Sequence, residues 1–385
     1  MCAGPLLLAA AFLATLLRPA LTREVGPPGG APPRAFPGAS PLAAPYVWDV
    51  DNSSATVPTG EWAPALLSGK AWNVYGWAGL MPRLNADGSA VNGGIPQLGN
   101  LSLHLAKLER DLARILPRNA SGACLLDWEF WRCEWNYTGT NSQTASLAAA
   151  AAGLPPGAPP QQVLAAATQQ WQAGTRAFYE ASLAAVAAWY PGCVTGMYAY
   201  PSNDWSGGGY VGSGAAARRA ENDALAWLWR ASSALFPSIY LTSPGASVYD
   251  GQTTEQYVGS TVGEALRLAS GVAPPAQPPL VVPLAWYVYD AFPRPRPPAA
   301  WQLLTEADTR VVAALPLQLG ADALAVWGAV GNPPFAPQPL AGYLAAALGP
   351  AMNDTYAAAL RCAASRCQGR GRCTPSGGCT GAAAP

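Results

Sequence analysis

Short apolar segments alternate with helix-like segments along most of this 385-residue chain. Short apolar runs bounded by Gly, Pro or polar residues are typical of buried strands. We predict seven strands, at residues 46–50, 71–75, 123–126, 193–198, 238–241, 280–286 and 323–327. Helices are predicted at residues 101–116, 161–190, 215–235, 256–270 and 306–319. This alternation predicts an α/β fold with a parallel sheet that closes into a barrel, with a doubly wound open sheet as the alternative.

The third predicted strand runs directly into two carboxylates, within the sequence Gly-Ala-Cys-Leu-Leu-Asp-Trp-Glu-Phe-Trp-Arg at residues 122–132. Side chains alternate along a strand, so Asp127 and Glu129 are predicted to point to one side, with Trp128 opposite. Two carboxylates at short range leave one of them able to hold a proton near neutral pH. Acid-catalysed cleavage of a glycosidic bond needs such a pair. The alternative is an acidic pair that faces solvent or pairs with Arg132.

The single histidine, His104, excludes much other hydrolytic chemistry. A Ser-His-Asp or Cys-His site would have to use it, and a metal site built from several histidines is impossible. It stands in a helix-like apolar stretch, where we predict a packed or capping residue. We expect no cofactor and no metal. The balance of 22 basic against 22 acidic residues gives no sign of a nucleic-acid partner.

Polar and aromatic side chains stand where several predicted strands end. In a barrel of this kind, catalytic residues lie at the carboxyl ends of the strands and in the loops that follow. Tyr and Trp rings suit the apolar face of a sugar, and their polar edges can hydrogen-bond to its hydroxyls. The residues concerned are Asp127, Glu129, Tyr198, Tyr240, Asp290 and Trp327. Packing explains each ring taken alone, but together the set predicts a carbohydrate-binding groove.

The beginning of the chain is typical of a secreted protein. Residues 6–17 are almost entirely apolar and too short to span a bilayer comfortably, which fits a signal peptide at residues 1–22. Residues 23–45 are rich in Pro, Gly and Ala and are predicted to be a disordered linker. The barrel is expected at residues 46–350. Five Asn-x-Ser/Thr sequons agree with a secretory route, and we expect a monomer without a transmembrane segment that is secreted or lysosomal.

The C-terminal segment, residues 351–385, contains four closely spaced cysteines, Cys362, Cys367, Cys373 and Cys379. In a secreted chain, such spacing predicts a small disulfide-linked module. A metal site is the alternative. Four cysteines allow three disulfide connectivities, among which the sequence does not choose.

An ordered series of motifs makes the chain resemble the animal hyaluronidases, glycoside hydrolase family 56, from about residue 46 to residue 373. The series begins with Asn92-Gly-Gly-Ile-Pro-Gln97 and His104-Leu105, followed by Asp127-Trp-Glu129 and Trp131-Arg132. It continues with Gly196-x-Tyr198 and Pro201, Trp227-Leu-Trp229 and Pro237-Ser-Ile-Tyr240, Glu264-Ala265 and Arg267, and Val326-Trp327-Gly328. The ending from Cys362 to Cys373 resembles the start of the EGF-like module of the family. Any one motif is weak evidence, but the ordered series is specific.

The resemblance implies a distorted TIM-like (β/α)7-8 barrel that hydrolyses β-1,4 bonds of hyaluronan, or of chondroitin, with retention at the anomeric carbon. It implies that Glu129 is the general acid and later the base. Asp127 would hold the 2-acetamido group of the substrate, whose carbonyl oxygen attacks the anomeric carbon. The residues implied in substrate binding are Tyr198, Tyr240, Trp327, Tyr75, Asp290 and Arg132.

Three cysteines stand outside the family pattern. Cys124 and Cys193 lie on strands that we predict to be neighbours, so they could form a disulfide, and a free buried thiol is the alternative. Cys133 replaces the proline that usually follows Trp-Arg in the family. These changes border the predicted groove and concern substrate preference more than chemistry.

Two other functions stay open. One is a glycan-binding or adhesion protein that keeps the same scaffold with little turnover. The other is a hydrolase of a different N-acetylglucosamine polymer, because a polyanionic substrate usually favours a basic groove and this chain is neutral overall. Arg83, Arg132, Arg218 and Arg219 could still form a local basic patch.

Overall fold

A computed structural model describes residues 46–50, 69–202, 209–244, 252–273, 276–289, 302–328, 337–366, 372–373 and 379–380. The predicted signal peptide, the predicted linker, Asp290 and Cys367 lie outside these residues. The chain divides into two compact units. We call Val74–Asn119 with Trp128–Pro191 the helical unit. The described residues of Pro33–Asn73, Ala120–Asp127 and Gly192–Pro385 form the sheet unit.

The elements follow in a mainly alternating order. The strands are β1 (Tyr46–Val50), β2 (Gly69–Tyr75), β3 (Arg83–Leu84), β4 (Ala90–Val91), β5 (Ser121–Asp127), β6 (Gly192–Met197), β7 (Ala234–Leu235), β8 (Leu280–Val281), β9 (Leu284–Trp286), β10 (Leu324–Gly328), β11 (Arg372–Cys373) and β12 (Cys379–Thr380). The helices are α1 (Leu101–Ile115), α2 (Thr140–Ala152), α3 (Pro160–Trp189), α4 (Ala215–Ala224), α5 (Ala226–Ala231), α6 (Thr254–Ser270), α7 (Glu306–Leu319), α8 (Pro337–Tyr343) and α9 (Gly349–Arg366).

A six-stranded sheet has the order β6-β5-β2-β1-β10-β9, and its registered strand pairs are parallel. The short strands β7 and β8 form a separate parallel pair. Two isolated parallel bridges, Tyr198↔Phe236 and Ser238↔Leu284, join the segment after β7 to β6 and to β9. The predicted α/β class with a parallel sheet is therefore confirmed.

Two predictions of local structure were wrong. The helix expected at residues 215–235 is two helices, α4 and α5, and its last two residues are β7. The strand expected at 238–241 is a single bridge at Ser238. A short apolar run suits either a buried strand or a helix, and here long-range backbone bonds from Ser233 to Thr195 and from Leu280 to Ser233 decide the outcome.

Two further differences concern proline and alanine. The strand expected at 280–286 is divided into β8 and β9 at Val282 and Pro283, and proline has no N–H to donate to a neighbouring strand. The alanine-rich segment at residues 140–152, for which no helix was predicted, is α2. Alanine has the highest helix propensity of all residues, so the bias in composition was itself the signal.

Two neighbouring strands of the sheet unit are joined covalently. Cys124 of β5 and Cys193 of β6 form a disulfide across 69 positions of sequence. In the chain-entropy model, a closed loop of that length stabilises the fold by about 4 kcal/mol. Cys133 is buried and lies outside this disulfide.

The C-terminal segment is described only in part. Cys362 is disulfide-bonded and lies within α9, which runs through the predicted domain boundary at residue 350. The antiparallel pair β11–β12 places Cys373 opposite Cys379. The EGF-like module and its connectivity remain predictions. Among the described residues, no helix combines the length and the apolarity that crossing a bilayer requires.

Gly196 of β6 marks a close backbone approach in the sheet unit. A Cβ atom there would lie 2.0 Å from the carbonyl oxygen of Ala234 in β7. Real Cβ atoms do not approach backbone oxygen so closely, so a side chain at this position would push the two strands apart. Glycine is therefore required by packing at the point where β6 passes β7.

Gly196→Ala is expected to lower the free energy of unfolding by about 2 kcal/mol, because overpacking against fixed backbone costs that much. Gly263 is the matched control, since it lies in α6 and a Cβ there meets open space. Gly263→Ala should stabilise by about 0.5–1 kcal/mol through helix propensity. Urea unfolding of both variants measures the contrast, and equal effects would contradict the close approach at Gly196.

Candidate active site

Four aromatic rings of the sheet unit come together where parallel strands end. The ring centroids of Tyr198 and Tyr240 are 6.2 Å apart, and those of Tyr240 and Trp327 are 6.0 Å apart in a stacked arrangement. The ring centroid of Trp286 lies 4.6 Å from that of Trp327 and 5.6 Å from that of Tyr240. We call these four residues the ring cluster. Three of them were predicted as site residues, and the structure brings those three together.

The strand register explains why the rings meet. Trp327 of β10 pairs with Trp286 of β9, so their side chains leave neighbouring positions of the sheet. Tyr240 follows the bridge from Ser238 to Leu284 by two residues, which aligns it with Trp286. Because parallel strands present their carboxyl ends at one edge, residues at these positions converge.

Asp127 is the last residue of β5 and is half-buried. Leu126 pairs with Met197 of β6, and the backbone N–H of Tyr198 donates to the Leu126 carbonyl at 3.0 Å. The next position in the same register places Asp127 beside Tyr198. The sheet therefore presents a carboxylate next to one member of the ring cluster.

Trp286 is a member of the ring cluster that sequence reasoning did not assign to the site. It is almost fully buried, whereas Trp327 and Tyr198 are half-buried. The signal was present, because Trp286 is the last residue of its strand, as Asp127 is of β5. The apolar pattern predicts only that the strand ends at this residue. A tryptophan at the carboxyl end of a parallel strand should be counted with the site candidates.

The loop after β5 is held in the helical unit by two buried tryptophans. The Trp128 ring packs edge-on against His104, with centroids 5.2 Å apart, and the Trp131 ring stacks on Tyr179 at 5.1 Å. Between these anchors, Glu129 and Phe130 are exposed. The strand ends at Asp127, so the alternation expected to place Glu129 does not reach it. The anchors, and not the strand, position the exposed carboxylate.

The remaining predicted site residues are in the helical unit or outside the described residues. Tyr75 ends β2 and accepts a backbone hydrogen bond from Ala78 at 2.9 Å. Arg132 is half-buried, and its carbonyl accepts from the indole N–H of Trp171 at 3.0 Å. Asp290 lies beyond Tyr289, where the described segment ends.

His104 is fully buried, as a packed residue is expected to be. The backbone N–H of Leu80 donates to Nδ1 at 2.9 Å, so the proton of the neutral ring is on Nε2 and is directed to Ser182 Oγ at 3.1 Å. Ser182 Oγ in turn donates to the Phe178 carbonyl. Burial lowers the pKa of His104 from 6.5 to about 4. The histidine is a neutral structural link between three segments of the helical unit.

This buried histidine predicts acid sensitivity. Its pKa is lower in the folded than in the unfolded chain, so its stabilising effect is complete above pH 6.5 and is lost as pH falls towards 4. The loss amounts to about 3 kcal/mol. Urea unfolding at pH 7 and pH 4 should show this decrease, and His104→Gln should reduce it. An unchanged pH dependence in His104→Gln would contradict the assignment.

A buried carboxylate organises polar contacts between α4 and α6 in the sheet unit. Glu264 accepts two hydrogen bonds of 2.7 Å from the guanidinium of Arg267 and one of 2.8 Å from the amide of Asn222. The Asn222 amide also donates to the hydroxyl of Tyr210, which donates to the carbonyl of Ser202. The hydrogen bonds with Glu264 raise the pKa of Arg267 above its ordinary value. The network ties the residues after β6 to two helices.

The hypothesis of a basic patch is corrected for two of its members. Arg218 is buried and pairs with Glu221 at 3.3 Å, and Arg219 lies 3.5 Å from Glu264. Both guanidinium groups are therefore compensated within the sheet unit. Arg83 differs, because no carboxylate of the described chain lies within salt-bridge distance of it, and its guanidinium carbon lies 5.0 Å from the Phe130 ring centroid.

Comparison with known proteins gives a consistent family assignment. A family model described as Hyaluronidase matches residues 76–377. Hyaluronidase-3 of Sus scrofa is 33% identical over 303 residues, which cover 77% of this chain and 69% of that protein. Hyaluronidase-1 of Homo sapiens is 31% identical over 304 residues, which cover 77% of this chain and 67% of that protein.

The fold is also similar to that of solved structures. Bee venom hyaluronidase in its monoclinic crystal form aligns with a TM-score of 0.64 and 24% identity, over 80% of this chain and 99% of that one. A second structure of bee venom hyaluronidase, in complex with a hyaluronic acid tetramer, aligns with a TM-score of 0.63 over 80% and 98% of the two chains. At this identity the likeness concerns the fold.

Proposed function

Because this chain belongs to the hyaluronidase family, whose members are glycosidases, we propose that it is an endo-β-N-acetylhexosaminidase of the secretory pathway that hydrolyses β-1,4 bonds of hyaluronan. The observation that carries the proposal is the family match across residues 76–377, a range that contains Asp127 and Glu129. Chondroitin is the second substrate under this proposal. Binding of a hyaluronic acid tetramer by bee venom hyaluronidase supports the substrate class.

The proposed scaffold is a closed, distorted (β/α)7-8 barrel. Its support lies within the sheet unit, where bridges at Tyr198–Phe236 and Ser238–Leu284 connect both edge strands, β6 and β9, of the six-stranded sheet to the segment after β7. A sheet whose two edges share one neighbouring segment has no free edge. Residues 351–385 would form the small cysteine-rich module, which the disulfide at Cys362 supports.

The proposed reaction uses an acid and a nucleophile supplied by the substrate. Glu129 donates a proton to the oxygen of the leaving sugar while the carbonyl oxygen of the 2-acetamido group bonds to the anomeric carbon, and the glycosidic bond breaks. Asp127 accepts the acetamido N–H and stabilises the positive charge of the cyclic oxazolinium ion. The Glu129 carboxylate then takes a proton from water, whose oxygen attacks the anomeric carbon as the bond to the acetamido oxygen breaks and the acetamido group is restored. Two displacements give retention.

The proposed sugar contacts follow the chemistry of the rings. Tyr198 would position the acetamido group, and its place beside Asp127 in the strand register supports that role. Tyr240 and Trp327 would line the sugar subsite, since Trp and Tyr rings favour the apolar face of a sugar. The buried Trp286 packs against both rings and supports them. Tyr75, Asp290 and Arg132 are proposed as further members of the binding site.

A reducing-end assay on hyaluronan, chondroitin and chitin oligosaccharides tests the proposal. Hyaluronan should yield new reducing ends, with N-acetylglucosamine at the new terminus and the β configuration retained in the first product detected by NMR. Hydrolysis of chitin oligosaccharides alone would identify a hydrolase of another polymer. Binding of hyaluronan without new reducing ends would identify a binding protein on the same scaffold.

A further inference from the structure

Two large aromatic side chains of the helical unit are exposed next to the proposed acid. Trp77 is 55% exposed and Phe130 is 43% exposed. Phe130 directly follows Glu129, and Trp77 follows Gly76, which contacts the Phe130 ring. A Cβ atom at Gly76 would lie 2.6 Å from Cε2 of that ring. Gly76 therefore lets the backbone of one loop touch the ring of the other, and this contact brings the backbone next to Trp77 beside the Phe130 ring.

The position of Phe130 is fixed by its neighbours. Trp131, the next residue, is buried, and its indole N–H donates to the carbonyl of Pro82 at 2.8 Å. Pro82 is followed by Arg83, whose guanidinium lies over the face of Phe130 at 5.0 Å from the centroid. One hydrogen bond thus fixes the backbone on both sides of the contact between Phe130 and Arg83.

The chemistry of this surface is specific. Exposure of aromatic faces to water is unfavourable, and packing them against the apolar face of a sugar is favourable. A guanidinium over a ring still has free N–H donors for a carboxylate, which it binds in a bidentate manner. No carboxylate in the described part of the chain pairs with Arg83. Rings beside an uncompensated cation fit a polysaccharide whose sugars carry carboxylates.

We propose that Trp77, Phe130 and Arg83 form an additional subsite, the ring platform, which binds a uronic acid-containing sugar of the polymer next to Glu129. This inference rests on the proposed function, because it names a contact for the same polyanionic substrate. Phe130 and Trp77 support the sugar ring, and Arg83 binds the uronate carboxylate. Although the chain is neutral overall, the ring platform places one positive charge, that of Arg83, where the polyanionic polymer is bound.

The test compares steady-state constants on polymeric hyaluronan for Trp77→Ala, Phe130→Ala and Arg83→Gln. Each variant should raise KM about fivefold or more with kcat within about twofold of the wild type, because the platform binds without reacting. Arg83→Gln should also flatten the increase of KM with salt, since one ion pair is lost. Phe130→Tyr keeps a ring and should retain a KM close to that of the wild type.

Leu103→Ala is the matched control, because Leu103 is 58% exposed in the same unit but lies on α1. Its constants should equal those of the wild type. Wild-type turnover with KM unchanged in all three platform variants would overturn the ring platform and leave the proposed function standing. A wild-type protein that releases no reducing ends from hyaluronan would overturn the proposed function itself. Thermal unfolding of each variant identifies an increase in KM that comes from misfolding.

Discussion

Glu129→Gln is expected to reduce kcat on hyaluronan by at least about a hundredfold, with KM little changed. Glutamine keeps the size and hydrogen-bonding capacity of the side chain but cannot donate the proton that the leaving oxygen needs. The substitution should not disturb folding, because Glu129 is exposed between the buried anchors Trp128 and Trp131. The measurement is the initial rate of reducing-end release at saturating substrate.

Substrates with different leaving groups show whether Glu129 acts as the acid or in another role. In an aryl glycoside with an acidic phenol, the phenolate leaves without being protonated. Glu129→Gln should therefore lose much less of its rate on such a substrate. Asp127→Asn should lose rate on both substrates, because the acetamido group still has to attack. Glu109→Gln is the control, an exposed carboxylate of α1 that should keep full activity. Full activity of Glu129→Gln on hyaluronan would refute its assignment as the acid.

Glu264→Gln is expected to lower the free energy of unfolding by about 2 kcal/mol, because neutral glutamine weakens the charge-assisted hydrogen bonds with Arg267 and Asn222. The variant leaves the guanidinium of Arg267 without the carboxylate that it contacts through two hydrogen bonds of 2.7 Å. The cost is limited because Arg267 is 42% exposed and keeps its ion pair with Asp223 at 2.9 Å. Urea unfolding of the purified variant measures the change.

Exposed ion pairs provide the comparison for Glu264. Glu306 and Arg310 pair at 2.5 Å on α7, and both side chains are about 70% exposed. An exposed pair at this spacing contributes about 0.3–0.5 kcal/mol, so Glu306→Gln should change stability by no more than that. Similar effects of the two substitutions would show that the Glu264 network is not energetically coupled to the fold.

The alternation of strands and helices was predictable because buried parallel strands leave short apolar runs in the sequence. Asp127, Tyr198, Tyr240 and Trp327 could be placed for the same reason, since each follows or ends such a run. Residues 232–241 could not be assigned correctly. There, hydrogen bonds from Ser233 to Thr195 and from Ile239 to Leu284 decide the structure, and these partners are distant in sequence.

The position of Glu129 illustrates a different limit of sequence reasoning. Strand alternation was the argument for it, but the strand ends two residues earlier. What holds the loop is the packing of Trp128 on His104 and of Trp131 on Tyr179. The spacing of residues in the sequence does not show which tryptophan packs against another aromatic ring. The same holds for Phe130 and Arg83, whose contact depends on the approach of a second loop at Gly76.

The disulfide between Cys124 and Cys193 has a topological consequence. All of Trp128–Pro191 lies between the two cysteines, so this part of the helical unit belongs to a covalent ring. Its most accessible connection is the exposed turn at residues 153–159, between α2 and α3. If a protease cleaved this turn, one fragment would contain β5 and the other β6, and the disulfide would still join them. Proteolytic nicking there would separate the chain only after reduction.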